Sequence, residues 1–296
     1  QELLEVSNLS IDDDFFDLGG TSIQAIYGTK LEYISFPVKY YFQYRTIRKI
    51  AEQITLDKSN GDKELLIPLI EKEESDLNLI LIPYAGSLEA SYYQLLNSIK
   101  NSNYNVYEVA SYRNYFKNDI WDLDGFLAGF RKEIEHLKSN QKFVLYGHCA
   151  GTALTMLLAQ DLQKLNKGLK GVFIGASLFQ TNTNAPFNEN QIRKLLFRIN
   201  GNIALLKAKE QQLIIDNFGI DNRIAFQIKN AFDANLQVVQ KLDCPIHCIF
   251  GEHDPLTSNY QQAYNNWKLF STNAVTCEII SDGNHYFVNE KSIVIS

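Results

Sequence analysis

Cysteine is scarce in this chain, with four in 296 residues. That is too few to suggest a disulfide framework. Cys244 and Cys248 have no second pair at metal-ligand spacing, which argues against a zinc site. Cys244, Cys248 and Cys277 lie in or beside apolar strands and read as buried small hydrophobes. An excess of positive charge is also missing. The formal charge of −6 and pI near 5.5 argue against a nucleic-acid surface. No apolar run approaches a membrane span, no signal-peptide pattern opens the sequence, and there is no internal repeat or low-complexity tract. The remainder, 45% hydrophobic and 21% charged, is an ordinary globular composition. It is long enough for one large domain and a small one, with a reducing, cytoplasmic setting as the expectation.

The most informative stretch is Leu145-Tyr146-Gly147-His148-Cys149-Ala150-Gly151. Residues 142–146 read as a buried strand, and 152–165 carry Leu154, Leu157, Leu158, Leu162 and Leu165 at helical spacing. A glycine-flanked residue between such a strand and helix is a nucleophile elbow, whose glycines permit a sharp, crowded turn. The side chain here is a thiol, where the commoner elbow carries a serine hydroxyl. The helix N-terminus beneath it favours both a thiolate and an oxyanion. The plainer alternative is a glycine-rich connection with a structural cysteine.

Around the elbow, strands at 65–70, 77–82, 103–110, 171–176, 245–250 and 274–280 alternate with helices at 121–137 and 261–270. That alternation predicts a mostly parallel sheet with helices on both faces. Between 177 and 243 it fails. Helical segments at 192–206, 211–217 and 222–242 stand there with no convincing strand, more than a connection needs, and read as a helical lid over about 181–241.

Upstream, Asp13-Asp14-Phe15-Phe16-Asp17-Leu18-Gly19-Gly20-Thr21-Ser22 leads into an apolar helix start at Ile23. Ser22 has a simple local role available as a helix N-cap. The whole string also resembles the phosphopantetheine attachment site of carrier proteins in nonribosomal peptide synthetases, D-x-F-F-x-L-G-G-x-S, at every specified position. The resemblance implies a small α-helical carrier bundle over residues 1–55, with 4′-phosphopantetheine esterified to Ser22 by a phosphopantetheinyl transferase. By the same resemblance the carrier begins inside its first helix, an N-terminal truncation. Its interval from Ser22 to Thr46 is also about four residues short. Residues 56–61, with the turn signal Asn60-Gly61, read as a linker to a second domain at 62–296.

Acyl transfer needs a base beside the thiol, an acid to orient the base, and donors for the oxyanion. In the α/β-hydrolase order of nucleophile, acid and histidine, the downstream candidates are Asp254 in Gly251-Glu252-His253-Asp254-Pro255 and His285 after the last strand. His136, His247 and His253 read as structural or surface residues. His148 adjoins the nucleophile but points the wrong way for a base.

With these residues in place, 65–296 resembles the α/β-hydrolase thioesterase domains that end nonribosomal peptide synthetases, through the elbow, Leu81-Ile82-Pro83-Tyr84-Ala85-Gly86 and the His285 loop. The resemblance implies oxyanion donors at Ala85 and Ala150. Many members place the acid at the position matching Ala176, which has no carboxylate, so Asp254 is the expected replacement. It also implies synthetase modules upstream in the same polypeptide, and a peptidyl or aminoacyl chain passed from Ser22-phosphopantetheine to Cys149. Release would follow by cyclisation, aminolysis or hydrolysis, with no metal, nucleic acid or membrane involved. Three alternatives remain: a plain hydrolytic thioesterase, a cysteine hydrolase of dienelactone-hydrolase type, and a catalytically silent module that only positions the carrier.

Overall fold

The computed structural model describes residues 6–20, 24–25, 39–57, 65–87, 92–99, 101–110, 112–137, 141–178, 185–199, 203–204, 208–234 and 240–289, with isolated positions at 4, 28 and 206. The chain divides into two compact units, Gln1–Lys63 with Leu88–Ser91 in the first, and Glu64–Ser87 with Tyr92–Ser296 in the second.

In the first unit, helices α1 (Lys39–Tyr44) and α2 (Ile47–Asp57) accompany the loop that carries the paired phenylalanines. Phe15, Tyr40 and Ile50 are buried. Asp14 organises the loop: its Oδ1 accepts the N–H groups of Phe16 and Asp17 at 2.9 and 3.1 Å. Arg45, at φ 60° between the helices, donates to the same carboxylate at 3.0 Å, and its carbonyl accepts the Phe15 N–H at 2.9 Å. Those bonds hold the Asp14 carboxyl below the ordinary carboxylate range against the opposing effect of burial. Ser22 and most of the interval before Thr46 lie outside the described residues. The expected linker begins inside α2, and its remaining positions are also outside them.

The second unit is built on a seven-stranded sheet. Its strands are β1 (Leu66–Ile70), β2 (Leu77–Ile82), β3 (Asn105–Val109), β6 (Lys142–His148), β7 (Leu169–Gly175), β8 (Ile246–Gly251) and β9 (Val275–Ile280), in the order β1-β3-β2-β6-β7-β8-β9. The β1–β3 pair is antiparallel and every other pair is parallel. Strands β4 (Phe116–Lys117) and β5 (Ile120–Trp121) form a separate hairpin. The parallel strands are near-continuous apolar runs because both faces are covered. Along β2, Ile80 and Ile82 enter one core and Leu79 and Leu81 the other, as the two-residue period of a strand requires.

One face is covered by α4 (Leu123–His136) and α5 (Gly151–Lys164), the other by α3 (Tyr93–Ile99) with Phe287 and Val288. Helix α4 opens on Asp122, whose side chain accepts the Gly125 N–H at 3.0 Å, a cap worth about 1 kcal/mol. It buries Phe126, Phe130 and Ile134 at four-residue spacing, each contributing roughly 2 kcal/mol. Trp121 belongs to β5 rather than to this helix.

The lid region differs most from expectation. Described helices there are α6 (Glu189–Ile199) and a single α7 (Ala208–Ala234) of 27 residues, where two segments were expected. The interval between those two segments holds Gly219, and a glycine inside a helix costs about 1 kcal/mol. Tertiary contacts override it, since Phe218 and Asp221 on either side of the glycine are buried. The expected helix over 261–270 is a short α8 (Tyr260–Ala263) followed by a 3-10 turn.

Candidate active site

The elbow forms as its glycines require. Strand β6 ends at His148, Ala150 is the N-cap of α5, and Cys149 between them sits at φ 52°. Such a conformation is costly for a non-glycine residue and is held here by the surroundings. The Cys149 N–H donates to the Gly175 carbonyl at 2.8 Å, and the Thr152 hydroxyl donates to the Cys149 carbonyl. A Cβ on Gly147 would stand 1.8 Å from Thr155 Oγ1, and one on Gly151 would stand 2.3 Å from the Pro83 carbonyl oxygen. Both glycines therefore admit close backbone approach. Cys149 is half-buried, with its thiol free.

His285 and Asp254 meet at the C-terminal end of the same sheet, in the loops after β9 and β8. His285 Nδ1 stands 2.9 Å from Asp254 Oδ2, with both side chains essentially inaccessible. The two loops are stitched by the His253 N–H to the Gly283 carbonyl at 2.8 Å and the Glu252 N–H to the Ile280 carbonyl at 3.0 Å. Asp254 also accepts the Leu256 N–H at 2.8 Å and the Thr257 hydroxyl at 2.7 Å. Burial pushes its carboxyl up, but the His285 bond and charge, with Leu256 and Thr257, hold it below the ordinary range. Asp254 is thus a carboxylate aimed at one ring nitrogen.

The other nitrogen, Nε2, is buried and has no hydrogen-bond partner among the described residues. Burial alone would push the His285 imidazolium down. The interaction with Cys149 and the hydrogen bond and charge of Asp254 more than offset it, raising the group to about 10. Cys149, His285 and Asp254 therefore form one electrostatic unit. Ala176 is buried at φ 44° and contributes no acid.

Ala85 lies in the loop after β2, and Ala150 opens α5. Among the described residues neither backbone N–H is engaged by a protein acceptor, which leaves both available to an oxyanion. Both alanines also belong to an apolar cluster with Ile192 and Leu196 of α6 and Ile215 and Phe218 of α7.

Two contributors were missed in the sequence. Thr257, three residues after Asp254, completes the carboxylate's hydrogen bonds. His148 is not a base, as expected, but it is more than a bystander. Its Nε2 lies 2.7 Å from the His285 carbonyl oxygen, and its Nδ1 lies 3.0 Å from the Tyr146 hydroxyl. The carbonyl can only accept, so Nε2 carries the proton and Nδ1 accepts from Tyr146. Burial pushes this imidazole down to about 3, so it stays neutral. Its proximity to Cys149 was the available signal.

The remaining histidines are peripheral. His136 is exposed on α4, His247 bonds Thr276 and Glu278 across β9, and His253 faces Asp282 at 3.7 Å. Cys244 and Cys248 are buried, their thiols pushed up to about 11 and about 12, chiefly by burial. Cys277 differs from expectation in being only half-buried. No helix among the described residues is long and apolar enough to cross a membrane.

A family model described as "Thioesterase domain" matches residues 78–296. Tyrocidine synthase 3 of Brevibacillus parabrevis is 25% identical over 218 residues, 71% of this chain but only 3% of that protein. This chain therefore spans a small part of that relative. Among solved structures, the RedJ thioesterase from the prodiginine biosynthetic pathway in Streptomyces coelicolor matches with a TM-score of 0.60 at 16% identity, covering 79% of this chain and 93% of that one. A holo four-domain nonribosomal peptide synthetase bound to AMP and glycine matches 97% of this chain and 24% of its own, with a TM-score of 0.51 and 17% identity. At these identities the structural likenesses speak to the fold alone, a mostly parallel sheet with helices as in α/β-hydrolase thioesterases.

Proposed function

The chain belongs to the thioesterase domain family, and on that premise we propose that it releases a carrier-bound acyl or peptidyl thioester through an acyl-Cys149 intermediate. One observation carries the reading: the buried Asp254–His285 pair at 2.9 Å, with an unpartnered Nε2 in the electrostatic unit of the Cys149 thiol. In the proposed first step the Cys149 thiolate attacks the thioester carbonyl. The developing oxyanion takes the Ala85 and Ala150 N–H groups. When the tetrahedral adduct collapses, the C–S bond to the leaving thiol breaks, and that thiol takes the proton held by His285. Asp254 keeps the imidazole in the tautomer and orientation this needs.

Transfer between thioesters is close to isoenergetic, so the acyl-enzyme keeps the reactivity of the incoming substrate. In the second step His285 accepts a proton from water, an amine or a hydroxyl as that group attacks, and Cys149 leaves as thiolate. Hydrolysis, aminolysis and cyclisation differ only in which nucleophile reaches the acyl carbon.

The substrate's carrier is proposed to be the first unit of this same chain, with phosphopantetheine on Ser22 supplying the thiol that bears the acyl group. The D-x-F-F-x-L-G-G-x-S match supports this, as does a structural likeness to a synthetase that extends over 97% of the chain. Fusion would give the acyl group a high effective concentration at Cys149 without tight binding.

Intact-mass analysis tests both halves. Incubation with coenzyme A and a broad-range phosphopantetheinyl transferase should add one arm, lost in Ser22→Ala. An acyl-pantetheine thioester should then acylate the second unit in wild type and not in Cys149→Ala. An arm that persists in Ser22→Ala, or an acyl adduct that persists in Cys149→Ala, would reject the corresponding assignment.

A further inference from the structure

The lid helix carries a buried carboxylate that the chemistry above leaves unused. Asp221, midway along α7 and 5% exposed, accepts four hydrogen bonds. They come from the Gly86 N–H at 2.8 Å, the Tyr112 hydroxyl at 2.8 Å, and Arg113 Nε and Nη2 at 2.6 Å each. Arg113 Nη2 also donates to the Ser87 carbonyl at 2.8 Å. Gly86 and Ser87 belong to the loop after β2 that presents Ala85. A bidentate ion pair thus ties the lid to the loop proposed to hold one oxyanion donor.

The backbone N–H groups of Gly86 and Ser87 are both committed. The Ser87 N–H returns to the Tyr84 carbonyl at 3.0 Å, and the Gly86 N–H, at φ 73°, is committed to Asp221. The Ala85 N–H, just before them, is unengaged; it shares a peptide plane with the Tyr84 carbonyl, so it cannot turn without breaking the Ser87 N–H bond to that carbonyl. A buried charge pair is a poor way to add stability alone, because apolar side chains of similar size do as well or better. Its strength is geometric: the forked guanidinium and the single amide accept one arrangement.

We infer that Asp221 is a positioning residue that makes the oxyanion site conditional on a seated lid. With α7 in place, Asp221 and its partner Arg113 fix the Gly86 amide and the Ser87 carbonyl, and so the turn in which the Ser87 N–H holds the Tyr84–Ala85 peptide and its donor. With α7 displaced, Gly86 loses its acceptor and the donor is no longer preset. Lid closure and catalytic competence become one event, so that acyl transfer occurs only in the covered site. The inference rests on the Cys149 release reading for its chemistry, though not for the clamp itself.

The test contrasts two reactions of Cys149 in the full chain. Acylation by an acyl-pantetheine thioester builds an oxyanion, whereas alkylation by iodoacetamide does not. One oxyanion donor is worth roughly 10²–10³ in rate when removed outright. Asp221→Asn should therefore slow acylation at least about tenfold while alkylation stays within about twofold. Tyr112→Phe, which removes one of the four bonds to the carboxylate and leaves the ion pair, should show a smaller selective slowing and serves if Asp221→Asn fails to fold. Equal loss in both reactions, or no change in either, would overturn the proposal. A wild-type chain that never acylates at Cys149 would indict the release reading instead. The clamp is then read from amide exchange over residues 83–87, which should rise in Asp221→Asn; unchanged exchange there would overturn the inference.

Discussion

His148 Nε2 stands 2.7 Å from the carbonyl oxygen of His285, so the residue before Cys149 holds the backbone of the residue proposed to activate it. The two imidazole rings lie 5.6 Å apart, centroid to centroid, and stand in opposite protonation regimes. Burial pushes His148 down to about 3, while Cys149 and Asp254 push His285 up to about 10 despite burial. Tyr286 and Phe287 pack on the His148 ring at 6.0 and 5.1 Å and hold it between the elbow and the histidine loop.

Replacing His148 by Phe should keep the aromatic packing and remove both hydrogen bonds. The His285 carbonyl and the Tyr146 hydroxyl would each be left buried without a partner, at roughly 1–3 kcal/mol apiece. We expect a lower thermal midpoint and a kcat reduced about 10- to 100-fold with KM little changed. His148→Gln, which can still donate, should recover part of the loss. Steady-state kinetics with melting curves decides, and normal turnover in His148→Phe removes the role.

Asp254→Asn should preserve the fold, because an amide can still accept the Leu256 N–H. It should also favour the wrong imidazole tautomer, lowering turnover by about 10³- to 10⁴-fold. Thr257→Val, which removes only one supporting bond to the carboxylate, should cost far less, about tenfold. Comparable activity in Asp254→Asn and wild type would end the assignment.

The protonation of His285 can be read directly. A value raised from 6.5 to about 10 means an imidazolium at pH 8. Its contribution to stability is fully present below pH 6.5 and fades as pH rises through about 10. Cys149→Ala removes one raising charge, so the transition should move down and the contribution should fade at lower pH. Histidine ring ¹⁵N spectra check both points, with His148 as a neutral internal reference until about pH 3. A wild-type His285 transition near 6.5 would contradict the thiolate–imidazolium arrangement.

The lid is expected to shape the product. Phe218 is buried against α6 and Ala85 in one apolar cluster. Phe218→Ala should weaken that seat by roughly 3–5 kcal/mol and admit water to the acyl-enzyme. With a substrate that carries an internal nucleophile, the fraction released as free acid should rise. Chromatography with mass detection measures it, and an unchanged product ratio would speak against the lid's role.

Much of the site was legible in local patterns. Cys149 between two glycines, an apolar strand before and a helical stripe after it, announces an elbow because such turns are short-range geometry. The strand alternation and the chain order of Cys149, Asp254 and His285 narrowed the candidate acid and base to two loops, which the structure places at one end of a parallel sheet. The helical insertion was legible as an interruption of that alternation, but not as one continuous α7, because Gly219 disfavours a helix locally and the burial of Phe218 and Asp221 offsets that.

What the sequence determined by itself is therefore the local chemistry: a thiol on a strained turn, apolar strands that must be covered on both faces, and carboxylates and histidines at loop positions. Tertiary structure alone decided which of these meet. Asp254 reaches His285 across 31 positions, Gly86 reaches Asp221 across 135, and His148 reaches the His285 carbonyl across 137. The reason is physical: hydrogen-bond partners so far apart are chosen by strand order and by how loops pack at the sheet's end. Period, composition and spacing act over a few residues and carry no record of that choice.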